Sequence, residues 1–169
     1  MVNQSTKKLL WLGIFAGIAM GLHAFENIIP KPIPWLRIGL SNSFVLYILA
    51  TMGLKAGFSI SIIRTIGGNL ITGLIFTPNF VLGISGTLVS TITMWLFLRT
   101  RFFSFIGVSI IGAVAHNITQ LIVIRTIYIR DSAILHVLPY LILWAVLTGY
   151  ITGGLANWLK SFNFKYFGN

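Results

Sequence analysis

Arg64, Asn69, His116, Asn117 and Gln120 are the residues of this chain best suited to chemistry, because each interrupts a long apolar run. A charged or amide side chain in such a run must be paired, hydrated or used, and is a functional candidate by default. Arg64 falls about nine residues into its run, near mid-membrane at about 1.5 Å per residue. Asn69 follows it, after Gly67-Gly68. His116, Asn117 and Gln120 stand at spacings of three and four, so they adjoin on one helical face. His23, Glu26 and Asn27 gather at the far end of the first run, and Ser41 and Asn42 open the second at a similar depth. Arg37 precedes that second run and Arg125 lies further along the helix of His116. Together these groups offer guanidinium charge and paired amide donors and acceptors. With Arg37, Arg64 and Arg125 against Glu26, a shared cavity is net positive and suits an anionic or hydrogen-bonding ligand.

Each residue also has a plainer reading. Asn117 and Gln120 serve as interhelical glue in many membrane bundles. His116 alone reads as a packing histidine. Arg64 and Glu26 can form a structural pair. Arg37 and Arg125 can snorkel to the interface. The clustering, and no single side chain, favours the functional reading.

Catalysis is not expected. Glu26 and Asp131 are the only acids in 169 residues, and they lie far apart in sequence. Chain-elongating prenyl transfer and similar magnesium chemistry need clustered carboxylates beside the phosphates. There is no Walker-type loop, nucleophile elbow or zinc spacing. His23, His116 and His136 lie on separate segments. No metal site and no cofactor is expected.

The positioning elements follow from composition. Charged residues make up 8% of the chain and hydrophobic residues 56%, against about 25% charged in a soluble domain. Six apolar runs, 9–25, 38–52, 56–76, 80–98, 103–127 and 135–159, approach the roughly 20 residues needed to cross a bilayer. The second is short and is expected to begin nearer Leu36. Breaks at Pro30/Pro32/Pro34, Gly53-Leu54-Lys55, Thr77-Pro78-Asn79, Arg99-Thr100-Arg101 and Arg130-Asp131-Ser132 separate them. The absence of alternation argues against a β-barrel. The expected fold is all-α: one integral membrane domain over 1–169, a compact bundle of six transmembrane helices. Lys7-Lys8 and the first run resemble a signal peptide, but the run is long and lacks a clear cleavage site, so a retained helix is expected. With the N-terminus inside, Lys7, Lys8, Lys55, Arg99, Arg101, Lys160 and Lys165 are cytoplasmic, and Lys31, Arg37 and Arg130 external. That bias predicts N-in/C-in and a cell-membrane, multi-pass protein. The net charge of +10 then reflects topology and anionic head groups of the bilayer, and nucleic acid is not an expected partner. Gly13, Gly17 and Gly21 recur every four residues on the first helix, roughly opposite His23 and Glu26. Such a stripe admits close approach of another helix. Gly149 and Gly153 offer the same device within the bundle.

The stretch from Glu26-Asn27 through Pro30, Pro32 and Pro34 to Arg37, Gly39-Leu40 and Asn42 resembles the signature of the Gx transporter family, often labelled heptaprenyl diphosphate synthase component I. Further matches are Gly53-Leu54-Lys55-Ala56, Arg64, Gly83-Ile84-Ser85-Gly86 and, most specifically, 107–120 with Ala115-His116-Asn117-Ile118-Thr119-Gln120. The family is similar to the S components of energy-coupling-factor (ECF) transporters, six-helix proteins that bind a micronutrient from outside. The resemblance implies a small-molecule substrate, a first loop that helps to cover the site, and docking on a transmembrane coupling subunit driven by two ATPases. It implies that Gly13, Gly17 and Gly21 form the docking face, where the family often has alanines. Glu26, Asn27, Arg37 and Asn42 are then expected at the outer mouth, with Arg64, Asn69, His116, Asn117 and Gln120 on the ligand. The family label also leaves open a noncatalytic membrane subunit of heptaprenyl diphosphate synthesis.

Overall fold

The shortest apolar helix lies at the centre of the molecule. In the computed structural model, which describes residues 3–30 and 36–162, α2 (Leu40–Met52) is buried on every side from Ser41 through Leu49 except at Asn42. A helix that is apolar all round belongs inside, and its thirteen residues span only about 20 Å at 1.5 Å per residue. Around it stand α1 (Gln4–Ile28), α3 (Leu54–Ile71), α4 (Pro78–Thr100), α5 (Phe105–Val123) and α6 (Leu138–Ser161). α1 packs on α3, α3 on α4, α4 on α5 and α5 on α6, while α2 touches all five. No strand occurs among the described residues.

Among the described residues, four helical segments are long and apolar enough to cross a membrane: Gln4–Ile28, Pro78–Thr100, Phe105–Tyr128 and Ser132–Ser161. α2 is too short, and α3, which carries Lys55, Arg64 and Asn69, is not among them. The outer surface is apolar, with Leu10, Ile14 and Ile18 exposed on α1, Ile92 and Leu96 on α4, and Leu143, Leu147 and Ile151 on α6. An apolar surface of that extent fits lipid, not water, and the chain is a membrane protein.

The interior combines an apolar core with buried polar side chains. Hydroxyls and glycines meet where helices approach closely, as van der Waals packing in lipid favours. Ser61 and Thr91 join α3 to α4 at 2.7 Å, and Ser109 and Thr152 join α5 to α6 at 2.7 Å. A Cβ on Gly149 would lie 2.6 Å from the Ile110 backbone, and one on Gly153 2.6 Å from that of Ile106. These two glycines therefore pack inside the bundle.

Several boundaries differ from the sequence reading. α2 begins at Leu40, not near Leu36, because Gly39 takes a left-handed conformation (φ 80°) that turns the chain into the helix. α3 ends at Ile71, short of Phe76, at a turn through Gly73 (φ 71°). α5 passes into a π-helical turn, Ile124–Tyr128, and a 3-10 turn, Ser132–Val137, precedes α6. Lys31, Pro32, Pro34 and Lys165 lie outside the described residues.

Candidate functional site: a basic polar cavity inside the bundle

α1 and α3 contribute from their C-terminal halves, and α2 from its first turn, to one interior cavity; α4, α5 and α6 line it from both halves, through Thr87 and Ser90, Ser109 and His116, and Thr148 and Thr152. His23, Glu26, Arg37, Ser41, Asn42, Arg64, Thr87, Ser90, His116 and Asn117 line it. Its volume is about 30 Å³, room for about one water molecule.

Arg64 anchors the floor, 2% exposed. Its Nη1 donates to Ser41 Oγ at 2.6 Å and its Nη2 donates to Asn42 Oδ1 at 2.5 Å. The guanidinium fork thus straddles two successive residues of the α2 first turn. Arg37 approaches from the segment before α2. Its Nη1 lies 2.6 Å from His23 Nε2, and its guanidinium lies against Gly83, where a Cβ would come within 3.2 Å of Nη2. Arg37 therefore does not snorkel outward. Its backbone carbonyl accepts a hydrogen bond from Trp144 Nε1 at 3.1 Å, which ties this segment to α6.

His23 sits between the two arginines, with Nδ1 3.3 Å from Arg64 Nη1. A neutral imidazole has a single acceptor nitrogen, so it serves one guanidinium fully and not both. Glu26 does not pair with Arg64. Its Oε1 accepts the backbone N–H of Leu40, capping the start of a helix whose first N–H groups lack intrahelical partners. That cap explains a carboxylate at 1% exposure. Non-helical backbone at membrane depth is tolerated where protein buries it, and Glu26 and Trp144 supply the partners here.

Five atoms on the cavity-lining residues are buried without a hydrogen-bond partner among the described residues: Glu26 Oε2, Arg64 Nε, Thr87 Oγ1, Ser90 Oγ and His116 Nδ1. The structure thus brings together Glu26, Arg37, Asn42, Arg64, His116 and Asn117 of the residues singled out from sequence. The His116 ring lies against Gly86, where a Cβ would come within 2.9 Å of it. Asn117 lines the cavity, but its Nδ2 donates to the Leu141 carbonyl at 2.9 Å and links α5 to α6.

Three candidates do not reach the cavity. Asn27 donates from Nδ2 to Asn69 Oδ1 and Thr72 Oγ1. Asn69 donates to the Thr65 carbonyl at 2.6 Å and lies 3.2 Å from His23 Nε2. These two amides fasten α1 to α3 behind His23. Gln120 is buried but outside the lining. Arg125 is exposed on the bundle's flank, so it adds no charge to the cavity, which holds two arginines and one acid.

The sequence reading passed over the hydroxyls. Thr87, Ser90, Thr91 and Met94 form the buried stripe of α4, and Thr148 and Thr152 that of α6. Their spacing of three and four residues in otherwise apolar helices is a signal that was available. His23 and Ser41 were noted for their depth, but not assigned to the ligand; both line the cavity.

On the opposite side of α1, a Cβ on Gly13, Gly17 or Gly21 would meet nothing within 4 Å. The stripe is an open face of the bundle and takes no part in its internal packing.

A family model described as heptaprenyl diphosphate synthase component I matches residues 15–159. Comparison with curated proteins and with solved structures gave no match.

Proposed function

Because this chain belongs to the heptaprenyl diphosphate synthase component I family, we propose that it works as a noncatalytic membrane component, and specifically as the substrate-binding subunit of an ECF-type uptake system. The observation that carries this reading is the set of buried, unpartnered polar atoms on the residues lining one interior cavity. Buried polar groups are almost always satisfied, and those left over call for a water, ion or ligand. Two guanidinium groups there share one imidazole, and the nearby carboxylate is engaged by the Leu40 N–H. An anionic substrate group would accept from the unpartnered Arg64 Nε and from Arg37 in charge-assisted hydrogen bonds.

In this reading all six helices traverse the cell membrane, with both termini in the cytoplasm. The cavity lies toward the external side. At about 30 Å³ it is closed, since small-molecule sites occupy roughly 300–1,000 Å³. Opening would displace the 36–39 segment, whose Arg37 carbonyl is held by Trp144. Nothing in the chain hydrolyses ATP, so uptake requires a coupling subunit and a pair of ATPases. The open glycine face of α1 is the docking surface.

The family's description favours a second reading, in which the chain is a noncatalytic subunit bound to a prenyl diphosphate synthase. One experiment separates the two: purification of the tagged protein from native membranes in mild detergent, with mass spectrometry of what accompanies it. Two ATPases and a membrane coupling subunit are expected. Recovery of a soluble prenyl diphosphate synthase without ATPases would overturn the uptake reading.

A further inference from the structure

A second concavity, of about 450 Å³, lies on the flank of the bundle between the end of α5 and the start of α6. Leu121, Ile122, Leu135 and Leu138 line its apolar part, and Arg125 and Arg130 its basic part. It shares no lining residue with the interior cavity. We propose that this groove is a binding site for an anionic phospholipid of the surrounding bilayer, with Arg125 and Arg130 on the phosphate and an acyl chain along the leucines and Ile122.

Three features on the page carry the assignment. First, neither arginine makes a hydrogen bond or ion pair among the described residues. The neighbouring acid, Asp131, accepts instead from the Ala133 N–H at 2.9 Å. Two uncompensated guanidinium groups at one apolar groove complement a phosphate, which arginine binds in fork geometry. Second, the chain is built to bring them together. Leu121 lies near the end of α5 and Arg125, four residues on, in the π-helical turn that follows it, which closes with Ile129 N–H to the Ile124 carbonyl at 2.8 Å. π segments of this kind are frequent at functional sites. Here the turn ends the helix and lets Arg130 return to the same groove. Third, the flanks are lipid-facing: Ile122 is 56% and Ile127 61% exposed. A bilayer lipid is therefore already the neighbour of this surface. A zwitterionic head group would bring an ammonium against two arginines and is disfavoured.

The test is native mass spectrometry of the full-length protein in detergent, titrated with phosphatidylglycerol or phosphatidylethanolamine of matched chains. A retained phosphatidylglycerol adduct is expected, with phosphatidylethanolamine retained much less. Arg125→Gln/Arg130→Gln should weaken it roughly thirtyfold, the attraction expected of two basic residues at an anionic surface. Ile122→Trp, which fills the groove and leaves both arginines, should weaken it too. Equal retention of the two lipids would overturn the proposal, as would retention unchanged in both variants. Preferential binding of farnesyl diphosphate over phosphatidylglycerol would overturn the phospholipid assignment. None of these readouts depends on uptake or on the interior cavity.

Discussion

The carboxylate of Glu26 accepts the backbone N–H of Leu40, so an acid near the end of α1 caps the central helix α2. Both arginines of the cavity converge on the same region: Arg64 holds Ser41 and Asn42, and Arg37 holds His23. The start of α2 is thus the joint on which the candidate site is built.

Removing that cap should destabilise the fold. Glu26→Ala is expected to lower the unfolding temperature in detergent, since a lost N-terminal cap costs about 0.5–2 kcal/mol and the buried Arg64 and half-buried Arg37 lose the nearby negative charge. Glu26→Gln keeps an acceptor for Leu40 and should lose less. Differential scanning fluorimetry of both variants reads the order; indistinguishable stabilities would rule out the cap.

Arg64→Lys tests the fork. An ammonium keeps the charge but cannot reproduce the planar two-donor geometry that joins Ser41 and Asn42. Losing a hydrogen bond to a charged group costs about 1.5–3 kcal/mol, so unfolding should shift to lower temperature despite conserved charge. A wild-type melting curve for Arg64→Lys would mean that charge alone matters there.

The glycine stripe of α1 and the glycine pair of α6 should respond in opposite ways. Gly17→Leu points into open space and is expected to change stability by no more than about 0.5 kcal/mol, as for surface substitutions, while abolishing recovery of membrane partners. Gly149→Leu collides with the Ile110 backbone and should cost more than the about 1–3 kcal/mol typical of overpacking. Partner recovery unchanged by Gly17→Leu would remove the docking role from α1.

Trp144→Phe deletes the indole N–H that binds the Arg37 carbonyl. A net cost of about 1 kcal/mol is expected, together with easier opening of the 36–39 segment. Hydrogen exchange at the Ile38, Gly39 and Leu40 amides should rise in this variant and not in Tyr140→Phe, whose ring is exposed. Equal exchange in the two would show that Trp144 does not latch the segment.

Much of the architecture was legible because lipid imposes a simple rule. Few charges and long apolar runs leave a chain no other solvent, and prolines, glycines and basic pairs mark where the runs stop. That Gly13, Gly17 and Gly21 share one face of α1 and that His23 and Glu26 lie roughly opposite follow from helical periodicity, whereas the openness of that face is seen only in the fold. The site was legible less evenly. Arg64, His116 and Asn117 stand out as polar residues in apolar runs, whereas Thr87, Ser90, Thr148 and Thr152 pass for ordinary membrane-helix hydroxyls until neighbouring helices turn them to one cavity.

The sequence by itself determined that this is a helical membrane protein with a few costly polar groups inside, because transfer into hydrocarbon depends on residue type and run length. Only the tertiary structure decided what each polar group does. Asn27 and Asn69 have the same character as Asn42 in sequence, yet they bond each other behind His23 while Asn42 receives Arg64. Glu26 had a pair with Arg64 as its plainer alternative reading, and its carboxylate accepts the Leu40 N–H instead. Arg37 turned inward and Arg125 outward. Partnership among buried polar groups is settled by distances of a few tenths of an ångström between helices far apart in sequence, and periodicity along one helix carries no information about them.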